Sequence, residues 1–482
     1  MDDWFSRKVL IIGAARQGTA LARYLAGHGA QVVLSDIRKE SELRAEQEAL
    51  QEIPGAVWQI QWFCGAHPLN MLDGVDLVCL SGGVPPTIPL AVEAQARGIE
   101  LSNDSQIFLD HAPCMVIGIT GSAGKTTTTS LVGEIVKTAY REFRNQNGSK
   151  PARVWVGGNI GSPLIADLDE MDAADLAVME LSSFQLELMS SSPQVAAVLN
   201  VTPNHLDRHG SMEVYSHIKA RILAYQAADD TAILGREDPV AWNMAQNVHR
   251  RLLSFGLQEP RDDQQGTYLR DGGIWLRLTD LDEDILLLEQ DDVLLRGEHN
   301  LLNVLAACAI TAAVGTAPAA IQMGIRRFEG IPHRLEHVRS WHGADWYNDS
   351  IATAPERTIA AIHSFDEPLV LLAGGRDKNL PWDTFAVLAL DRVDHLILFG
   401  EAAEIIDQAI NKILTLPGGR EQSVQSPSIT RCRGLQEAVK AAAEIAETGD
   451  VVLLSPGGTS FDEFKDFEER GECFVRLVRD LA

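Results

Sequence analysis

The amino-acid sequence predicts an α/β fold of three blocks, each organised on a mostly parallel sheet. Two observations carry that expectation. Short apolar runs rich in β-branched residues recur at 9–12, 32–35, 77–80, 115–120, 176–180, 195–201, 369–373, 396–399 and 451–455. Stretches with helical spacing lie between them, as at 19–26 and 435–446. Runs without polar alternation are buried on both faces, which is the situation of parallel strands covered by crossover helices. At roughly 150 residues per domain, 482 residues suggest about three domains.

Taken in order, residues 1–113 open with a strand–turn–helix–strand unit and form the first block. A new set of strands starts at Met115 and defines a second block, 114–331. A third, 332–482, begins after Ile331-Pro-His-Arg. Within the second block, 250–296 alternates polar and apolar residues with Gly and Asp punctuation and reads as antiparallel strands. Residues 141–153 are polar and rich in Gly, Asn and Lys, and read as a loop.

Hydrophobic residues make up 45% and charged residues 22%, as in a globular protein. Lys plus Arg is 41 against 67 Asp plus Glu, a net charge of −26. Such a surface repels phosphate backbones and anionic membranes, so neither nucleic acid nor membrane is an expected partner. The six cysteines are widely spaced with no C-x-x-C pair and read as buried, reduced thiols. No apolar run approaches the roughly 18 residues of a membrane span, and the start lacks a signal-like apolar stretch. A cytoplasmic protein is expected.

The strongest motif is Gly118-Ile-Thr-Gly-Ser-Ala-Gly-Lys-Thr-Thr, between a strand-like and a helix-like run. Glycines let successive N–H groups of Gly121, Ser122, Ala123 and Gly124 curl around a phosphate at a helix N-terminus. Lys125 would reach the terminal phosphates of ATP, Thr126 would place a hydroxyl on Mg²⁺, and Thr127 continues the loop into the helix. Gly13-Ala-Ala-Arg-Gln-Gly with Asp36 some twenty residues on is similar to a dinucleotide fingerprint, but Ala15 stands at the middle glycine. NAD binding is the competing reading there. Glu180, closing a buried strand downstream of the phosphate loop, is where a Mg²⁺ ligand is expected, and His205 in Asn204-His-Leu-Asp is a second candidate. Asn300 and Asn303 share a helix face at i, i+3. The loops Gly374-Gly-Arg-Asp-Lys378 and Ser455-Pro-Gly-Gly-Thr-Ser follow apolar strands, where parallel sheets bind ligands, and suit a carboxylate substrate.

In that order, the phosphate loop, Glu180, Asn204-His-Leu-Asp, Lys219, Gly297-Glu-His-Asn-Leu-Leu-Asn, His333-Arg334, Asn348-Asp-Ser, Gly374-Gly-x-Asp-Lys and Ser455-Pro resemble the ATP-dependent Mur ligases over nearly the whole chain. The resemblance implies an N-terminal Rossmann-like domain for a UDP group, a central P-loop ATPase domain and a C-terminal Rossmann-like domain. It implies addition of glutamate, the D isomer being expected, to UDP-N-acetylmuramoyl-L-alanine through an acyl phosphate. It assigns catalysis to Lys125, Glu180, His205 and a carbamylated Lys219, with two Mg²⁺ ions held by Thr126, Glu180, His205 and Lys219. Asn300, Asn303, Arg334 and Asp349 match nucleotide contacts. Arg16, Gln17, Asp36, Arg38 and Gly83 match the UDP site, with Asn159 and His205 nearer the muramoyl-alanine. Thr353, Lys378, Ser460, Phe461 and Phe467 match the glutamate site. Contributions from all three blocks imply assembly by domain closure, in a monomer.

The sequence also departs from the family pattern. Ile351 replaces a lysine and Ala354 an asparagine, which removes a positive charge that Arg376 is expected to restore, and Phe461 replaces a smaller apolar residue. Glutamate recognition, D or L, is the property these changes bear on. Other readings are a ligase for another amino acid, a folylpolyglutamate-type ligase, an NAD-dependent oxidoreductase built on the first block, and a non-catalytic nucleotide switch. The paired Lys125 and Glu180 count against the last.

Overall fold

The computed structural model describes residues 4–54, 56, 58–144, 152–279, 281–415 and 427–481. The chain forms two compact units, Met1–Val293 with His299–Phe328, and Leu294–Glu298 with Glu329–Ala482. The first unit carries two sheets and the second carries one.

The first sheet holds β1 (Lys8–Ile12), β2 (Gln31–Asp36), β3 (Gln61–Cys64), β4 (Leu77–Leu80) and β5 (Glu100–Ser102) in the order β3-β2-β1-β4-β5, all parallel. Helices α1 (Arg16–Gly27), α2 (Arg44–Ala49), α3 (Pro89–Ala96) and α4 (Asp104–His111) connect or follow these strands. Val9, Leu10, Ile11 and Ile12 are all buried, because β1 is central and covered on both faces. At Gly18 a Cβ would fall 1.8 Å from the Gly13 carbonyl oxygen, so only glycine lets α1 sit this close to the turn after β1.

The second sheet holds β6 (Met115–Thr120), β7 (Val154–Gly158), β8 (Leu176–Glu180), β9 (Val195–Val198), β10 (Thr231–Gly235), β11 (Arg251–Phe255), β12 (Gln265–Arg270), β13 (Gly273–Arg277) and β14 (Ile285–Glu289), ordered β14-β13-β12-β11-β10-β9-β6-β8-β7. Its helices are α5 (Lys125–Ala139), α6 (Ser183–Leu186), α7 (Leu206–His209), α8 (Met212–Ala224), α9 (Pro239–Asn243), α10 (Glu298–Ala313) and α11 (Pro318–Arg327). The expected antiparallel region is half right. β12, β13 and β14 form an antiparallel meander, but β11 pairs in parallel with both β10 and β12. The tight turn at Asp271–Gly272 returns β13 antiparallel to β12, whereas the longer link from β11 to β12 permits a parallel return. The expected loop at 141–153 also starts later, since Tyr140–Arg144 continues α5 as a π turn. Residues 145–151 lie outside the described residues.

The third sheet, in the second unit, holds β15 (Glu336–Trp341), β16 (Ala344–Asn348), β17 (Leu369–Gly374), β18 (His395–Phe399), β19 (Ser428–Arg431) and β20 (Val451–Gly457), ordered β15-β16-β20-β17-β18-β19. Only β15 runs antiparallel. Helices α12 (Pro355–Ile362), α13 (Asp383–Arg392), α14 (Ala403–Leu414), α15 (Leu435–Ile445) and α16 (Phe467–Arg479) cover it. Two apolar cores flank the sheet, one around Leu371, Phe385 and Leu453, the other around Trp346, Phe399 and Phe474. Each fully buried side chain of this size contributes roughly 1.5–3 kcal/mol. All nine apolar runs are strands in these sheets. Of the cysteines, Cys79, Cys114 and Cys308 are buried as expected, but Cys64, Cys432 and Cys473 are only partly covered. Among the described residues, no helix is long and apolar enough to cross a membrane.

Candidate active site

β6 delivers the chain into the loop Gly121–Gly124, and α5 starts at Lys125. Gly124 takes φ +82°, and a Cβ there would meet Asn303 Oδ1 at 2.2 Å, so the position requires glycine twice over. The loop is braced from β9's far end. Asn200 accepts the Ala123 N–H on Oδ1 at 2.9 Å and the Ser122 N–H on its backbone carbonyl at 3.0 Å, and donates back to the Ala123 carbonyl at 3.2 Å, so of the four N–H groups expected to face a phosphate, those of Ser122 and Ala123 are instead taken up by Asn200. The Ser122 hydroxyl donates to the Thr202 carbonyl at 2.9 Å and lies 3.1 Å from the Tyr215 hydroxyl.

Five predicted residues meet at this loop. Thr126 donates to Glu180 Oε2 at 2.9 Å, and Asn159 donates to Glu180 Oε1 at 2.8 Å. Lys125 Nζ folds back on the carbonyls of Gly121 at 2.9 Å and Ser122 at 3.2 Å. Lys219 Nζ donates to the same Gly121 carbonyl at 2.9 Å and approaches Thr120 Oγ1 at 3.3 Å. Burial, together with the nearby Lys125 charge, pulls the Lys219 ammonium down to about 7, against the opposing pull of Glu180. Asn303 donates to Asn300 at 3.1 Å and its Oδ1 lies 3.4 Å from Thr128 Oγ1, which sets this amide pair beside the first turn of α5. Thr127 is buried in that turn. His205 begins α7 with left-handed backbone, exposed, its ring 5.1 Å from that of Phe184.

This donor set fits Mg²⁺. A hydroxyl and one carboxylate stand side by side, and Mg²⁺ takes one or two carboxylates and completes its shell with water and phosphate oxygens. Among the described residues, no three His, Cys, Asp or Glu side chains gather into a metal cage.

At the first sheet, Asp36 is buried and its carboxylate accepts the Ala14 N–H at 2.8 Å and the Arg38 guanidinium at 3.0 and 3.1 Å. Burial pushes this carboxyl up, but the bonds from Arg38 and from the Ala14 and Arg38 backbones outweigh it and hold it down to about 2. Gln17 accepts the Gly82 N–H at 3.2 Å, which ties α1 to the loop carrying Gly83. Arg16 opens α1, exposed.

In the second unit, Asp349 follows β16 and accepts from the Ser455 hydroxyl at 2.8 Å. Burial drives its carboxyl up to about 7, against the bonds from Ser455 and the Leu335 backbone. Lys378 donates to Thr353 at 3.2 Å. Ser460 is buried, Phe461 is 60% exposed, and Phe467 starts α16 with its carbonyl accepting from Ser350 at 2.8 Å. Arg334 lies in the turn before β15. Arg376, expected to restore the charge lost at Ile351, forms a two-pronged ion pair with Glu401 at 2.8 and 3.0 Å, both side chains about half exposed.

Three stretches match Mur ligase models: residues 7–103 the Mur ligase MurD-like N-terminal domain, 119–311 the Mur ligase middle domain, and 333–458 the Mur ligase glutamate ligase domain. A UDP-N-acetylmuramoylalanine–D-glutamate ligase of Symbiobacterium thermophilum is 37% identical over 477 residues, 98% of each chain. The enzyme of that name from Pelotomaculum thermopropionicum is 37% identical over 100% of this chain and 99% of its own. The chain belongs to the Mur ligase family. Among solved structures, UDP-N-acetylmuramate-alanine ligase from Thermotoga maritima shares this Mur ligase's fold with a TM-score of 0.57 at 18% identity, covering 98% of this chain and 99% of that one.

Sequence reasoning missed two groups in this Mur ligase. Asn200 braces the phosphate loop, but it falls within the apolar run 195–201 and reads there as part of a strand, which in the structure ends at Val198. Arg470, fully buried, donates to Ser350 Oγ at 3.0 Å, the Ser350 carbonyl at 2.8 Å and the Gly458 carbonyl at 3.1 Å, so it stitches the Asp349–Ser350 turn to the loop after β20. Its place in the acidic run Asp466-Phe-Glu-Glu-Arg reads as a solvated helix start. The one available signal was the pattern of α16, which puts Arg470 on the same face as buried Phe474 and Val478.

Proposed function

We propose that this Mur ligase joins D-glutamate to UDP-N-acetylmuramoyl-L-alanine with cleavage of ATP to ADP and phosphate, a step of peptidoglycan precursor synthesis. Full-length identity to enzymes of that name supports the reading. The single structural observation that carries it is the cluster of Lys125, Thr126, Glu180 and Lys219 around one phosphate-type loop.

A free carboxylate does not acylate an amine at neutral pH, because its leaving group would be oxide. In the proposed reaction the alanyl carboxylate oxygen attacks the γ-phosphorus and the bond to ADP breaks. The glutamate nitrogen then attacks the acyl carbon, loses a proton, and inorganic phosphate leaves. The protein's work is positioning and charge neutralisation. Lys125 turns from the loop carbonyls to the terminal phosphates. Asn300, Asn303, Arg334 and Asp349 hold the nucleotide. Arg16, Gln17, Asp36, Arg38 and Gly83 hold the UDP group, with Asn159 and His205 toward the muramoyl-alanine. Thr353, Lys378, Ser460, Phe461 and Phe467 hold glutamate. Magnesium, when bound, spreads the charge of the phosphoryl oxygens. Thr126 and Glu180 suit one ion, and His205 with a carbamylated Lys219 suits a second. The buried Lys219 amine favours its neutral form, which adds to CO₂ with loss of one proton to give an anionic oxygen ligand. We place this activity in a cytoplasmic monomer of three domains, 1–113, 114–331 and 332–482.

Phosphate release tests the reading. Purified protein with UDP-N-acetylmuramoyl-L-alanine, ATP and Mg²⁺ is expected to release phosphate with D-glutamate and far less with L-glutamate or other amino acids. Absence of ADP with either enantiomer overturns it.

A further inference from the structure

In the second unit, the chain enters β15 through a turn in which His333 and Leu335 both hold left-handed backbone, φ 64° and 44°. Residues with a Cβ keep that conformation only where their surroundings impose it. Arg334 lies between them. In the antiparallel pairing, Glu336 stands opposite Asn348. One oxygen of Glu336, Oε2, accepts the His333 backbone N–H at 2.8 Å and the Asn348 side-chain amide at 2.9 Å. That amide also reaches His333 Nδ1 at 2.9 Å, while Asn348 Oδ1 accepts the Ser350 N–H at 3.1 Å. From the other side α16 presses close, since a Cβ on Gly471 would fall 2.2 Å from His333 Nδ1.

Each residue tied by Glu336 directly precedes a nucleotide candidate: His333 precedes Arg334, and Asn348 precedes Asp349. We propose that Glu336 is a positioning residue for ATP binding, a strut whose single carboxylate oxygen sets the spacing of Arg334 and Asp349. The proposal rests on the reading that those two residues meet the nucleotide. Glutamate is a poor strand former, so local propensity does not account for it at the head of β15. A carboxylate that accepts from a backbone and a side-chain amide at once is a strong, direction-fixing link. Glu336 itself need not touch ATP.

The test is calorimetric binding of ATP with Mg²⁺, and separately of UDP-N-acetylmuramoyl-L-alanine, to the full chain and to Glu336→Ala and Glu336→Gln. Glu336→Ala is expected to weaken ATP binding about tenfold and to leave muramoyl-substrate binding within about twofold. Glu336→Gln, whose amide carbonyl accepts the same two bonds, is expected to stay within about threefold of wild type for ATP. ATP binding unchanged in Glu336→Ala overturns the strut alone. Equal loss for both ligands, or a Gln variant as weak as the Ala variant, also overturns it. Wild-type protein that binds no ATP overturns the strut together with the nucleotide reading. If Glu336→Ala does not fold, Glu336→Asp, one methylene short of both donors, carries the same expectation.

Discussion

The hydroxyl of Thr126 donates to the carboxylate of Glu180 across 2.9 Å, which locks the first turn of α5 to the end of β8. The two residues are 54 positions apart in sequence and belong to different crossovers, so the contact exists only once the sheet is complete. Glu180→Gln preserves the size of the side chain and removes its charge. The Mg²⁺ concentration for half-maximal phosphate release is expected to rise at least about tenfold, as is usual when a metal site loses a supporting group. A magnesium titration of turnover checks it, and an unchanged midpoint removes Glu180 from the metal site.

Lys125→Ala is expected to lower ATP turnover by about a thousandfold or more while circular dichroism stays native, because Lys125 is partly exposed and sits at the end of the loop after β6 rather than in an apolar core. Turnover within tenfold of wild type would remove the phosphate role of that loop.

Lys219→Ala is expected to be inactive and partly rescued by added acetate or formate, which supply the lost oxygens. In the wild type, reactivation of CO₂-stripped enzyme should climb with pH through about 7 and level off about one unit above it, where most of the buried amine is neutral. An ordinary lysine, titrating near 10.5, would keep climbing for several pH units. A rate that still rises steeply at pH 9 counts against the carbamate.

Asp349 gives a stability signature in the absence of ligands. Its folded-state carboxyl is raised from 3.8 to about 7, so its favourable, protonated contribution is complete below the unfolded value and is lost as pH rises through about 7. Asp349→Asn, which stays neutral, should therefore match wild type near pH 4 and exceed it by roughly 2–4 kcal/mol at pH 8. Denaturant melts at both pH values measure this, and a difference independent of pH sinks the assignment.

Arg376 pairs with Glu401, so whether it also offsets the lysine replaced by Ile351 is read from the charge put back directly. Ile351→Lys is expected to lower the Michaelis constant for glutamate about twofold to fivefold, the worth of one partly solvated charge pair. Initial rates at fixed ATP decide it, and an unchanged constant shows that glutamate binding does not use that charge.

Much of this is legible in the sequence, and for a physical reason. Strands such as 9–12 and 451–455 are buried on both faces, so their burial is written as uninterrupted apolar sequence. The phosphate loop is equally plain, since its Gly, Lys and Thr spacing stands between a strand-like and a helix-like run and the left-handed backbone at Gly124 is a local demand that glycine meets. What stayed hidden depends on partners distant in the chain. Nothing near Arg376 announces Glu401, nothing near Arg470 announces Ser350, and Asn200 braces a loop 77 residues upstream. The parallel pairing of β11 with β12 was missed because alternation reports burial on one face, not strand direction.

The two-way bond between Asn200 and Ala123 has a kinetic consequence. A loop fastened through both backbone groups of Ala123 has little slack left for the incoming triphosphate to take up, so the rearrangement that follows encounter falls to side chains such as Lys125, which turns from its loop carbonyls. Softening that one amide would add a slow ordering of the loop backbone to nucleotide association.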